Sequence, residues 1–250
     1  MESTAYTQLL TNLKYLKLNQ MVEHLDEVID FCMTNKLSFT DALIKLTNYE
    51  IDSKETNAIR SMVKVGAFPF LKELKDFDFS FQPSINEQEI RELATLRFID
   101  KHENIVFYGP SGVGKTSLAT AIGIASAKKR RSTYFIKCHD LIAQLKSAQQ
   151  ENRLEIRLKH FLKYQCLIID EVGYLVFSAE DSNLLFQLID KRYEKKSTIV
   201  TTNINFNKWD KVFKDPVLSN AMLDRLLHHS HIIPINGNSY RLKDVVSLED

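Results

Sequence analysis

The sequence predicts an α/β fold: a parallel sheet of five strands joined by crossover helices, preceded by a small all-α domain. The first observation is a series of five short segments rich in β-branched and aromatic residues, separated by helical stretches. The second is a glycine-bearing loop between the first of these segments and a helical one. The third is the helical leucine spacing near the start of the chain. The five segments read NIVFY, STYFIK, CLIID, STIVTTN and HIIPI.

Length and composition indicate an ordinary globular protein. The 250 residues suffice for one sizeable core with a smaller domain attached. The net charge of +1 does not by itself indicate a nucleic-acid-binding protein, although a local patch could. Cys32, Cys138 and Cys166 are too few and too widely spaced for a disulfide framework. There is no signal-peptide pattern and no apolar run of the roughly 18–20 residues that a membrane span needs, so we expect a cytoplasmic protein without membrane contact.

The first 75 residues are predicted to form a helical domain. Leucines at mixed three- and four-residue spacings between Leu9 and Leu18 indicate its first helix. Ser38, with Asp41 three residues later, is a candidate N-cap of a second helical segment. A separate helix beginning at SKETNAIR is expected to end near Gly66. Three or four short helices follow from this pattern, with no catalytic constellation among them.

Residues 76–86, DFDFSFQPSIN, are predicted to link the helical domain to the α/β domain, residues 87–250. Aromatic residues alternate with acidic ones, and Pro83 interrupts any helix. We expect an extended segment whose aromatic side chains pack against the domain that follows. These side chains are Phe77, Phe79 and Phe81.

The loop after the first strand has the phosphate-binding pattern G-x-x-x-x-G-K-[ST]. Its backbone amides and the positive end of the following helix can bind phosphate oxygens. Lys115 is expected to reach the β- and γ-phosphates, and the Thr116 hydroxyl to ligate Mg²⁺. The strand before the loop and the helix after it argue against a chance match. The residues predicted to bind the nucleotide here are Gly109, Pro110, Ser111, Gly112, Val113, Gly114, Lys115, Thr116 and Ser117.

A second acidic motif lies at the end of the strand CLIID. Asp170 and Glu171 follow three buried-type residues, at the strand end where open α/β sheets bind ligands. We expect Asp170 to hold Mg²⁺, in part through water, and Glu171 to polarise the attacking water. The alternative is that Glu171 only caps the next turn.

Two further polar residues are candidates for the same site. Asn203, at the end of STIVTTN, could bind the γ-phosphate or position the water; otherwise it is a turn residue. Arg225 lies in a helix before the last strand and could reach the γ-phosphate of a neighbouring subunit. A surface salt bridge, with Asp224 or another acid, is the alternative for Arg225.

These motifs, in this order and at this spacing, resemble those of AAA+ ATPases. Nearly the whole chain resembles the IstB family, the ATP-binding helper proteins of certain bacterial insertion sequences. The nucleotide motifs are common to the superfamily, so the flanking segments make the resemblance specific. Those segments include ELATLRFIDKHENIVFYGPSGVGKTSLATAIG, LIIDEVGYL and AMLDRLLHHSHIIPINGNSYRLK.

The resemblance implies a P-loop NTPase core without a C-terminal lid, since only residues 236–250 follow the last predicted strand. It implies that Gly109 to Ser117 and the two acids form the Walker motifs. Asn203 matches the sensor position and Arg225 the arginine finger. Arg241 also falls in a family signature, but its role stays open.

The segment from Lys128 to Lys163 carries a local positive charge. Ten basic and three acidic residues give it an excess of +7, against +1 for the whole chain. Such a stripe is typical of phosphate-backbone binding, although a solvated helix face is the common alternative. The resemblance implies that an inserted helix in this region lines a ring or spiral around DNA. The candidate DNA contacts are Lys146, Arg153, Arg157 and Lys159, and no base-reading motif accompanies them.

Together these features predict an ATPase that uses ATP and Mg²⁺ to form homo-oligomers on double-stranded DNA, with little sequence preference. The resemblance implies that the assembly presents target DNA to a partner transposase, IstA-like, and that hydrolysis controls assembly. A DnaC-like replicative helicase loader is one alternative. A DNA-binding scaffold that holds ATP as a structural ligand is another. Whether the N-terminal domain binds DNA or the transposase stays open.

Overall fold

The five predicted segments are the five strands of one parallel sheet, which confirms the α/β fold predicted from the sequence. The strands are β1 (Asn104–Tyr108), β2 (Thr133–Lys137), β3 (Cys166–Val172), β4 (Ser197–Thr202) and β5 (Ser230–Pro234). Their order in the sheet is β2–β3–β4–β1–β5. Because β3, β4 and β1 are adjacent and parallel, the loops that follow them meet at one edge of the sheet.

The structure is a computed structural model that describes residues 4–174 and 176–242. It divides into two units, Met1–Ser61 and Met62–Asp250. The predicted domain boundaries at residues 75 and 86 stay a prediction.

The helices are α1 (Thr4–Tyr15), α2 (Asn19–Glu23), α3 (Leu25–Asn35), α4 (Phe39–Val65), α5 (Glu87–Leu93), α6 (Arg97–Asp100), α7 (Lys115–Lys128), α8 (Cys138–Gln150), α9 (Leu154–Leu162), α10 (Ala179–Arg192), α11 (Trp209–Phe213) and α12 (Pro216–Leu227). Among the described helices, none combines the length and the hydropathy that crossing a membrane requires.

Both faces of the sheet are covered, as a parallel sheet requires. Alternate strand residues point to opposite faces, so Val106 and Val200 join one apolar cluster while Ile105 and Ile199 join the other. The first cluster includes buried side chains of α8, α9, α10 and α12, and the second includes those of α5, α6 and α7. With both faces packed, the carboxyl-terminal edge of the sheet is left to bind ligands.

The N-terminal unit has a small core of its own. Leu13, Met21, Leu25, Val28, Cys32 and Leu46 are buried together. Ser38 and Asp41 form the predicted cap: the Asp41 amide donates to Ser38 Oγ over 3.2 Å, and the Ser38 amide donates to Asp41 Oδ2 over 3.0 Å.

One helix boundary predicted in this region is wrong. The sequence favoured a new helix beginning near Ser53, because serine and aspartate compete with the helical backbone and favour caps. The structure has a single helix, α4, across this segment. No glycine or proline interrupts residues 39–65, so the helix continues to Val65 and ends before Gly66 as predicted.

The segment predicted as a linker packs against the sheet domain. A 3-10 turn, Leu74–Asp76, leads into this segment and its aromatic residues. Phe77 and Phe79 pack against the second apolar cluster, which confirms the predicted packing for these two side chains. Asn86 then caps α5 by accepting a hydrogen bond from the Glu89 amide over 3.3 Å.

Candidate nucleotide site

The phosphate-loop motif connects β1 to α7, at the carboxyl end of β1. Gly112 and Gly114 have φ of +83° and +101°, a backbone conformation that L side chains rarely adopt. A Cβ added at Gly112 would lie 2.0 Å from Ser239 Oγ, and one at Gly114 would lie 2.8 Å from Phe77 Cε2. The two glycines therefore let the backbone curve tightly between the aromatic segment and the C-terminal segment.

A cavity of about 200 Å³ opens over this loop. Its walls come from four parts of the chain: the phosphate loop, the segment around Phe77, the ends of β3 and β4, and the residues after β5. The lining includes Lys72, Glu73, Asp76, Phe77, Ser111 to Ser117, Glu171, Tyr174, Thr201, Thr202, Asn203, Tyr240 and Arg241. The site thus holds the loop, one acid and the polar strand end that the sequence predicted would meet.

The Lys115 ammonium lies inside the phosphate loop. It donates to the carbonyl oxygens of Gly109 over 2.7 Å and Pro110 over 2.6 Å. Burial lowers the pKa of Lys115 and nearby Arg241 lowers it further, while Asp170 and Glu171 oppose both effects. The charge is therefore placed where anionic oxygen atoms would stabilise it best.

Asp170 is the most buried acid of the site. Its Oδ1 accepts hydrogen bonds from the Thr116 hydroxyl over 2.9 Å and the Thr201 hydroxyl over 2.6 Å. Burial raises the pKa of Asp170, and these two hydrogen bonds oppose the rise. A carboxylate beside a hydroxyl is the oxygen donor set that Mg²⁺ prefers, so Thr116 and Asp170 fit the predicted metal role.

Glu171 follows Asp170 in an unusual backbone conformation. Its φ is +61°, and its amide donates to Thr201 Oγ1 over 2.9 Å. Its partly exposed carboxylate lines the cavity and pairs with Lys137 at 3.4 Å. The turn-capping alternative explains neither this ion pair nor the orientation of Glu171 toward the cavity.

Asn203 and Arg225 have different places. Asn203 follows β4 and lines the cavity. Arg225 is not among the described residues that line it. Its guanidinium donates to Asp190 Oδ1 over 2.7 Å and stacks 4.9 Å from the Phe186 ring centre. Its carbonyl accepts from the side chain of Asn104, the first residue of β1, whereas the phosphate loop follows the last residue of that strand.

The basic residues predicted to contact DNA do not form one continuous stripe with the rest of their segment. Lys128 pairs with Glu73 at 2.7 Å and Arg131 with Asp100 at 2.6 Å, away from the predicted contacts. The four predicted residues lie on α8 and α9 and in the turn between them. Lys146 pairs with Asp181 at 2.8 Å, Arg153 with Glu151, and Arg157 with Gln144, while Lys159 is exposed.

A second cleft, of about 550 Å³, runs between α8 and α9. Arg153 and Arg157 line it, together with His160 and Lys163. Burial and the neighbouring Arg157 and Lys163 charges lower the pKa of His160. Arg153, Arg157, His160 and Lys163 therefore lie around one cleft of the predicted DNA surface.

The sequence analysis did not identify two side chains that contact the acids of the nucleotide site. Thr201 bridges the two acids, and Lys137, counted with the basic stretch, pairs with Glu171 instead. Lys137 ends β2, next to β3 in the sheet, and is the register partner of Asp170. A prediction of the strand order would have placed Lys137 beside Asp170. Thr201 could have been noticed as a hydroxyl two residues before Asn203.

Replacing Phe77 by alanine should weaken ATP binding about tenfold, or about 1.4 kcal/mol, because the cavity loses an aromatic wall that touches the phosphate loop. Phe79→Ala is the matched control: Phe79 packs edge-on against Phe77 at 4.9 Å but is outside the described cavity lining. Titration with a fluorescent ATP analogue measures both. Equal loss of affinity in the two variants would contradict this role for Phe77.

Comparisons with known proteins agree with the geometry. Residues 11–247 match the model of the family described as IstB-like ATP binding protein. The chain is 64% identical over 246 residues to the ATP-binding protein of insertion sequence IS232 from Bacillus thuringiensis subsp. berliner, covering 98% of each chain. It is 44% identical over 229 residues to the counterpart from insertion sequence IS5376 of Geobacillus stearothermophilus, covering 92% of this chain and 91% of the relative.

Among solved structures, the crystal structure of the DnaC helicase loader is similar. It superimposes with a TM-score of 0.53 at 26% identity, covering 66% of this chain and 96% of that one. The parallel sheet order, the phosphate loop and the paired acids are those of an AAA+-type P-loop fold, as predicted. On the family match and these relatives, the chain belongs to the family of IstB-like ATP-binding proteins.

Proposed function

We propose that this protein is an ATPase that assembles on duplex DNA and delivers it to a partner transposase, with hydrolysis controlling the lifetime of the assembly. The observation that carries the proposal is the meeting of the phosphate loop, Glu171 and Asn203 around one cavity, with Asp170 hydrogen-bonded to Thr116 of the loop beneath it. A site that only bound ATP would need the loop but not an acid held toward the cavity beside it. The names of the relatives add the link to insertion sequences.

Binding rests on the loop and the first acid. The loop amides and Lys115 would bind the phosphates, and Thr116 and Asp170 would hold Mg²⁺. The metal, when bound, neutralises charge on the phosphate oxygens. Lys115 must exchange its two carbonyl partners for phosphate oxygens, which return a full negative charge to a partly buried ammonium. The exchange therefore favours the nucleotide complex.

Hydrolysis rests on Glu171 and Asn203. The Glu171 carboxylate accepts a proton from the attacking water, and Asn203 orients that water or the γ-phosphate. Glu171 is paired with Lys137, so its carboxylate must leave this partner, at least in part, to reach the water. The ion pair between Glu171 and Lys137 fits an enzyme whose turnover depends on binding of a partner or on assembly.

Assembly brings Arg225, which is not among the described residues lining the cavity of its own chain, to the nucleotide of a neighbouring subunit. In its own chain Arg225 is held by Asp190 and the Phe186 ring, near the amino end of β1. A neighbouring subunit packed head to tail brings that surface to the mouth of the cavity. There Arg225 exchanges Asp190 for the γ-phosphate and stabilises the transition-state charge, a role worth about 10³–10⁵ in rate in other phosphoryl-transfer enzymes.

DNA is bound by α8, α9 and the turn between them. Arg153 and Arg157 supply cations around the cleft, Lys159 is exposed on α9, and Lys146 lies on α8 beside Asp181. These side chains would contact backbone phosphates, which explains binding with little sequence preference. α8 begins directly after Lys137, the ion-pair partner of Glu171. DNA held on α8 would therefore contact the helix that follows this partner of the catalytic base.

A DnaC-like helicase loader is the second candidate, favoured by the superposition on the DnaC structure. The transposition helper is the stronger proposal. Its relatives match along 98% and 92% of this chain, whereas the loader superimposes on 66%. A cytoplasmic location follows from either role. Preference for duplex over single-stranded DNA, and capture of a transposase rather than a helicase, separates the two.

The variant Glu171→Gln should still bind ATP but lose turnover by roughly 10²–10⁴-fold, because the amide cannot accept the proton of water. Lys115→Ala should lose nucleotide binding itself and with it assembly on DNA. Phosphate release and sedimentation with a duplex oligonucleotide measure the two properties. Glu92→Gln, an exposed change on α5, is the control and should match wild type. Normal turnover by Glu171→Gln would show that another group is the base.

Removing a backbone-contacting cation should weaken duplex binding for all sequences alike. Arg153→Ala and Lys159→Ala should each reduce the slope of log affinity against log salt by about 1. Lys101→Ala removes an equally exposed cation outside α8 and α9 and is the control. Fluorescence anisotropy at several salt concentrations provides the slopes. If all three variants kept the wild-type slope, DNA would have to bind elsewhere.

A further inference from the structure

The strand that carries the two acids is irregular at those two residues. In the pairing of β3 with β4, Ile169 lies opposite Val200 and Val172 lies opposite Thr202. Two residues of β3, Asp170 and Glu171, therefore oppose the single residue Thr201 of β4. This two-against-one arrangement is a β-bulge, a feature that redirects side chains and often lies beside active sites.

The bulge solves a geometric problem of the motif. Successive side chains of a regular strand point to opposite faces, so two consecutive acids could not both serve one site. At the bulge the chain adopts φ of +61° at Glu171, which breaks the alternation. Asp170 then contacts Thr116 of the phosphate loop, while the next residue, Glu171, lines the cavity as well.

A bulge leaves backbone groups without their ladder partners, and a left-handed conformation at a glutamate is strained. Thr201 compensates for both. Its Oγ1 accepts the Glu171 amide over 2.9 Å, replacing the lost ladder bond. The same hydroxyl donates to Asp170 Oδ1 over 2.6 Å. It is fully used, with one hydrogen bond to each acid, and its residue is 1% exposed.

We propose that Thr201 is the positioning residue of this ATPase: its hydroxyl holds the bulge open and so sets where Asp170 and Glu171 lie relative to each other. The inference rests on the proposed function, since it assigns Glu171 the base. It adds that one side chain, whose hydroxyl is hydrogen-bonded to both acids, couples metal binding to water activation. A change in Thr201 moves both acids together.

The variant Thr201→Val keeps the shape and removes the hydroxyl. It should lower kcat about 100-fold, since a misplacement of the base by about 1 Å has effects of that size. Affinity for ATP should stay close to wild type because the phosphate loop is intact. Thr201→Ser retains the hydroxyl and should recover most of the rate. Thr120→Val is the matched control: this buried threonine has a hydroxyl without a hydrogen-bond partner among the described residues.

Two further measurements separate positioning from general damage. In the Glu171→Gln background, Thr201→Val should cost much less additional rate than in wild type, because the part of its effect that acts through Glu171 is already lost. A full additional loss there would overturn the inference, as would wild-type kcat in Thr201→Val alone. Hydrogen exchange at the Glu171 amide should be slow in wild type and Thr201→Ser, and fast in Thr201→Val.

The exchange measurement also distinguishes the two possible failures. If the wild-type protein hydrolysed no ATP under any condition, the proposed function would be wrong. The amide of Glu171 would still report whether Thr201 holds the bulge. An amide equally protected in wild type and Thr201→Val would overturn the inference even in a protein that hydrolyses ATP normally.

Discussion

The site depends on one buried carboxylate. Asp170 accepts hydrogen bonds from Thr116 on α7 and Thr201 on β4 while belonging to β3 itself, and so joins three elements at the sheet edge. Burial alone would favour its neutral form, as the raised pKa shows, and the two hydroxyls stabilise the charge that metal binding needs. The same contact ties the phosphate loop to the acids. The phosphate loop, Asp170 and Glu171 are consequently joined by a single hydrogen-bond network.

Three other residues of the proposed mechanism are each paired with a group of their own chain. Glu171 is paired with Lys137, Lys115 with loop carbonyls, and Arg225 with Asp190. Each of these partners competes with a nucleotide contact of the proposed mechanism. In the proposed mechanism an isolated subunit with three such internal pairs hydrolyses ATP slowly, because the nucleotide, DNA and a neighbouring subunit would each have to release one of them. Under the proposed function, this arrangement makes ATP hydrolysis depend on assembly, so that it does not proceed continuously in the isolated subunit.

Much of the fold and of the site could be predicted from the sequence, because short motifs can be recognised from the types and spacing of neighbouring residues. The glycine loop, the acids after CLIID and all five strands follow from spacing and residue type. What could not be predicted depends on neighbours in the sheet. Strand order brings Lys137 beside the acids and Thr201 opposite the bulge, and no local pattern specifies strand order. The long α4 was missed for a different reason: Ser53 favours a helix start locally, and the uninterrupted helix on both sides overrides it.

The proposed function requires that a second copy of the chain completes the nucleotide site. Mixing two defective proteins tests it most directly: Arg225→Ala retains Glu171 and the phosphate loop, and Glu171→Gln retains Arg225. Each variant alone should be nearly inactive in ATP hydrolysis with duplex DNA. If Arg225 acts on its neighbour's nucleotide, the mixture should recover part of the wild-type rate, since some interfaces then combine an intact Glu171 with an intact Arg225. A mixture no more active than its separate components would contradict a shared site.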